Sequence, residues 1–179
     1  MGTATIAASE HEEFMELLGL EKIVQSAFHP FVHEIVSVEE SPDDDAPVTI
    51  VKEHWPAYML GPLLITRAGC VVRAGAKQLT KSIAENATLY WAFARRNRPA
   101  FDMSVGWGSN SQWRTTFRRD YRLAGVLHYN VDANPMKADR QDDLTPEERL
   151  ELLRYRSFVR CAKPHDDRFP YYYSHREEL

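Results

Sequence analysis

Apolar and polar positions change period several times along this chain, and each change predicts an element. Ser9 followed by Glu12 has the spacing of a capping box, and Phe14, Leu17 and Leu18 then form a stripe that stops at Gly19, which predicts a short first helix. His29-Pro30 breaks or starts an element, and the β-branched run His33 to Glu40 predicts a strand. The acidic turn Ser41 to Asp45, between Pro42 and Pro47, predicts a hairpin that returns through Val48 to Val51. Leu63 to Thr66 and Cys70 to Arg73 read as buried strands around a turn at Ala68-Gly69.

From Ala76 to Arg96 the period becomes helical. Leu79, Ile83, Ala87, Tyr90, Trp91 and Ala94 recur every three or four residues, Arg95 and Arg96 suit the negative end of the helix dipole, and Pro99 ends the run. Met103 to Gly106 and Leu123 to Val131 read as strands flanking a polar segment, and Asp132 to Asp143 as a turn-rich linker. Thr145, Pro146 and Glu148 together make a helix start, with Leu152, Tyr155 and Val159 on the buried face of the helix that follows to Arg160. This mixture lacks regular strand-helix alternation. It predicts a single α+β domain over residues 1–162, a mainly antiparallel sheet packed with about three helices, and a C-terminal tail over 163–179 draped on the surface.

Composition narrows the class. A chain of 179 residues with 44% hydrophobic and 27% charged residues has the size and apolar content of one folded domain. Its longest apolar stretch, Ala57 to Ile65, is interrupted by Gly61-Pro62 and is half the length of a membrane span, so no membrane partner is expected. The start MGTATIAASEHEE has neither the basic opening nor the apolar core of a secretory signal, which leads us to expect a cytoplasmic protein. The two cysteines, Cys70 and Cys161, cannot build a disulfide framework or a paired-cysteine metal knuckle, and read as buried thiols.

Charge alters this picture. Residues 1–63 carry a net charge of −10, residues 64–123 of +8 and residues 124–179 of −2. Either the first two thirds neutralise one another across the fold, or the middle third presents a basic surface to an anionic partner.

The richest chemistry lies between Val105 and Arg122, where glycines and hydrogen-bonding side chains lead into arginines interleaved with aromatics. Arg114, Arg118 and Arg119 offer planar forks for phosphate or carboxylate, Trp107, Trp113 and Tyr121 offer stacking faces, and Asn110 and Gln112 offer hydrogen bonds. The same spacing of four through Trp113, Phe117 and Tyr121 also fits the buried stripe of a helix. Three functional readings follow. The leading one is a non-catalytic binding protein that engages an acidic protein or a nucleic acid through this segment. The second is a small enzyme for a phosphorylated or carboxylated substrate, with His128 as general base, Asp120 orienting it and Arg114 stabilising negative charge. The third is an inhibitor or immunity-type protein that uses its acidic first third. His29 and His33 stand four apart, but Pro30 separates them and no HExxH pattern is present; neither a metal site nor a cofactor is expected.

Overall fold

The run His33 to Glu40 is rich in β-branched residues, and in the computed structural model it forms a strand whose Ile35 and Val38 are buried, brought to one face by a bulge between Ile35 and Ser37. The structure describes residues 6–85, 119–131, 133, 144–155, 170 and 172–179. Over these residues three helices and nine strands make an α+β domain with predominantly antiparallel sheets. In chain order they are α1 (Ala8–Leu17), β1 (Glu21–Ile23), β2 (His33–Glu40), β3 (Thr49–Trp55), β4 (Ala57–Leu60), β5 (Leu63–Thr66), β6 (Ala68–Ala74), α2 (Lys81–Glu85), β7 (Asp120–Leu123), β8 (Val126–Tyr129), α3 (Pro146–Tyr155) and β9 (His175–Glu178).

The larger sheet is antiparallel throughout, in the order β1-β4-β5-β7-β8-β9. Its β7–β8 turn uses Ala124 and Gly125 at φ of 48° and 80°, the double left-handed geometry that matches the twist of a two-residue hairpin. Leu123 to Val131 is therefore not one strand: the turn divides it. At the C-terminal end, residues 175–178 add β9 to the edge of this sheet.

The smaller sheet has the order β2-β6-β3, with β2 parallel and β3 antiparallel to β6. The expected β2–β3 hairpin does not form. Instead β6, whose Cys70 and Val72 are fully buried, is inserted between the two strands and satisfies the backbone of both. The acidic turn stays local but packs against the end of β6: Ser41 donates its amide to the Ala74 carbonyl at 2.9 Å, and Gly75 to that of Ala46 at 2.9 Å. Ala68-Gly69 likewise starts a strand, and the turn before it lies at Gly61-Pro62.

One core joins the sheets, running from Phe31, Ile35 and Val72 through Met59 and Leu64 to Leu127, Tyr129 and Leu153. The Glu85 carboxylate at the end of α2 accepts the Val38 amide at 2.8 Å, and Glu151 of α3 accepts the Thr80 amide at 2.6 Å, so both helices are tied to the β2 side. The capping box of α3 is formed in both directions: Glu148 donates its amide to Thr145 Oγ1 at 3.2 Å, and Thr145 donates its own to the Glu148 carboxylate at 2.8 Å. At α1 the cap falls two residues earlier than Ser9; Glu10 accepts the Ala7 amide at 2.9 Å, and Phe14, Leu17 and Leu18 remain exposed. Of the helix expected over 76–96, the described part is α2; the remainder lies outside the described residues, as does Met103 to Gly106. No helix among the described residues is long and apolar enough to cross a membrane.

Candidate functional site

Trp107, Asn110, Gln112, Trp113, Arg114 and Arg118 lie outside the described residues. Arg119 leads into β7, which begins with Asp120 and Tyr121. Tyr121 is thus a strand residue, and a helical stripe does not extend through it.

The register separates the two groups expected to form a catalytic pair. Tyr121 pairs with His128 and Arg122 with Leu127, so strand alternation sends Tyr121 and His128 to one face, and Asp120 and Tyr129 to the other. Asp120 does not orient His128. It turns into the core, where its carboxylate accepts Arg67 at 2.8 Å and the Asn130 amide at 2.8 Å. Arg67, 1% exposed, also donates to the Phe31 carbonyl at 3.0 Å and lies 5.7 Å over the Tyr129 ring. The network continues outward as Tyr129 donates to Glu177 at 3.0 Å, and Glu177 accepts Arg154 at 3.1 Å. This is a structural assembly that locks β7, β8 and β9 against the β2 side. Local sequence could not pair Arg67 with Asp120, which stand 53 residues apart.

On the opposite face the same register aligns Tyr121, His128 and Arg176 across three neighbouring strands. Two candidate residues, Tyr121 and His128, are brought together with an arginine from the end of the chain that the sequence did not single out. Tyr121 and His128 are half-buried and Arg176 is exposed.

A concave site lies elsewhere, against the smaller sheet. Glu53 pairs with Cys70 and Trp55 with Gly69, a bulge at His54 that turns Trp55 to the face opposite Glu53. Trp55 then lies flat on Gly69, where a Cβ would overlap its ring, and its indole nitrogen donates to the Arg67 carbonyl at 2.9 Å. Beside it a cleft of about 540 Å³ is lined by Ile6, Ala8, His11, Glu12, Glu34, His54, Trp55, Pro56, Ile65 and Thr66. Glu34, only 1% exposed, is opposite Gly69 in the β2–β6 ladder and so belongs to the Trp55 face. Glu34 and Glu12 are the carboxylic side chains of the lining, and Glu12 is paired with Lys22 at 2.7 Å.

The reverse face of this sheet carries His33, Glu53 and Cys70, whose potential ligand atoms all lie within 4.8 Å of one another. Burial, then the charges of Glu53 and Glu34, push the Cys70 thiol up to about 12. Burial pulls His33 below the ordinary histidine value, opposed by the backbone carbonyls of His29 and Gln25. His33 touches the backbone of His29, and the sheet brings it in addition to two residues 20 and 37 positions away in the chain.

The polarised charge of the chain is partly cancelled in the fold. Arg73 pairs with Glu39, Lys77 with Asp45 at 2.8 Å and Lys81 with Glu40 at 3.7 Å, each joining a middle-third cation to a first-third carboxylate. Comparison with protein-family models, with curated proteins and with solved structures finds no match for this chain.

Proposed function

We propose that this domain is a binding protein whose cleft takes a small organic cation with a flat apolar body. The observation that carries the reading is the Glu34 carboxylate, held 1% exposed in the wall of a largely apolar cleft. A cavity of about 540 Å³ is within the usual range for small-molecule sites, which combine apolar walls with a few fixed polar groups. The lining contains carboxylates and imidazoles but neither lysine nor arginine; Glu12 is neutralised by Lys22, so Glu34 is the lining group that would meet a cation. Trp55 supplies a flat face for an aromatic body or a cation.

Isothermal titration with tryptamine and with indole-3-propionate, equal in aromatic body and opposite in charge, tests this. Tryptamine binds and indole-3-propionate does not; Glu34→Gln weakens tryptamine at least tenfold, as loss of a charge-assisted hydrogen bond of about 1.5–3 kcal/mol requires. Ile65→Trp, which fills the cleft from an exposed position, abolishes binding without disturbing the core. Equal binding of both compounds, or of neither, overturns the reading.

A second reading is favoured by the Tyr121–His128–Arg176 row. It retains an anionic partner, acidic protein or nucleic acid, engaged by that face together with the arginine-rich segment that precedes it. Nucleic-acid affinity would fall steeply with salt and be lost in Arg118→Ala/Arg119→Ala, read by fluorescence anisotropy of labelled DNA and RNA.

A further inference from the structure

The two faces of the smaller sheet differ in their chemistry. The cleft lining offers carboxylates and imidazoles beside an indole, whereas the reverse face gathers one sulfur, one nitrogen and one oxygen donor from three adjacent strands. The strand pairing explains the convergence. Glu53 on β3 stands opposite Cys70 on β6, and Ile35 on β2 stands on the other side of Cys70. Two residues before Ile35, and so on its face of β2, is His33.

We propose that His33, Glu53 and Cys70 form a three-ligand site for a borderline divalent transition metal, with zinc the ion that best suits the donor set. Thiolate, imidazole and carboxylate together are the ligands of zinc; magnesium and calcium take oxygen alone. In a tetrahedral zinc site, metal–ligand bonds of about 2.0–2.3 Å place neighbouring donor atoms about 3.3–3.8 Å apart. The present separations are all within 4.8 Å, so the three donors already converge on one point of the sheet and metal binding draws them closer.

The surroundings support the assignment. His33 Nδ1 lies 3.0 Å from the His29 amide nitrogen and 3.1 Å from the His29 carbonyl oxygen, and its ring stacks on Phe28 at 5.5 Å, contacts that hold the imidazole in place on β2. His33 and Cys70 are buried while Glu53 is exposed, so an ion enters from the Glu53 side and is then held away from bulk water. Binding replaces the thiol proton: the S–H bond breaks, a sulfur–metal bond forms, and one proton is released to solvent. Three protein ligands leave the fourth position to water.

Cobalt(II) titration of the full chain in a Cys161→Ser background tests the site, since the other cysteine then cannot supply a thiolate. The expected result is one cobalt per chain, with tetrahedral d–d bands and a thiolate-to-cobalt charge-transfer band, both displaced by one equivalent of zinc. Adding Cys70→Ala removes the charge-transfer band. The exposed substitution Glu53→Gln, which leaves the core untouched, weakens binding at least about tenfold with an unchanged circular dichroism spectrum. Absence of a charge-transfer band in folded Cys161→Ser protein, or cobalt affinity unaltered by Glu53→Gln, overturns the proposal. The tryptamine titration reads the other face of the sheet, so the two proposals fail separately.

Discussion

The Arg67 guanidinium and the Asp120 carboxylate meet at 2.8 Å with side chains only 1% and 5% exposed, joining the connection between β5 and β6 to the first residue of β7. A buried pair is costly to break because the surviving charge has neither water nor partner. Asp120→Asn is expected to destabilise the domain by about 3–5 kcal/mol in urea unfolding, whereas His128→Ala leaves this network intact. Because the two side chains lie on opposite faces, a double-mutant cycle between Asp120 and His128 should give a coupling below about 0.5 kcal/mol.

Gly69 is fixed by what lies on it. Gly69→Ala places a methyl group inside the Trp55 ring and forces the indole off the strand. The expected cost is about 1–3 kcal/mol. Because Trp55 lines the cleft, its fluorescence emission should also shift to the red, and both changes are read in one unfolding experiment.

Ala124 stands at φ 48°, a conformation that costs an L-residue with a Cβ about 1–2 kcal/mol. Ala124→Gly or Ala124→Asn should raise stability by about 1 kcal/mol with no change in ligand or metal binding. A thermal melt of the substituted protein checks it.

Tyr129 is fully buried, and burial holds its phenol well above the ordinary value of 10.0, opposed by Arg67. Tyr155 is shifted the same way, again through burial. For an acid raised in the folded state, stability is complete below the unfolded pKa and is lost as pH rises through the folded one. Urea unfolding should therefore show stability declining above about pH 10, and Tyr129→Phe should make that decline shallower.

Some of the architecture could be read directly from local pattern. β2 runs over the predicted residues His33 to Glu40, because its β-branched residues Ile35, Val36 and Val38 favour extended backbone. The Thr145–Glu148 box forms where its spacing places it, because a cap is satisfied within four residues. The α+β class and the preference for antiparallel pairing follow from the same short-range signals.

Pairing between distant strands was decided elsewhere. A turn at Ser41 to Asp45 suggested that β3 returns beside β2, yet β6 takes the place between them, because a buried strand flanked on both sides satisfies more backbone than a two-stranded hairpin. Asp120 and His128 looked like neighbours through eight residues of sequence; a two-residue turn set the register that separates them. Cys70 read as a buried thiol and is one, but sequence gave no reason to join it to His33 and Glu53. Local pattern was enough for β2 and for the α3 cap, whereas the α1 cap lies at Ala7 and the α1 apolar stripe stays exposed. Which residues meet at the cleft, at Arg67 and at the His33–Glu53–Cys70 cluster was set by folding, because strand order and register depend on burial shared across the whole core rather than on any single segment.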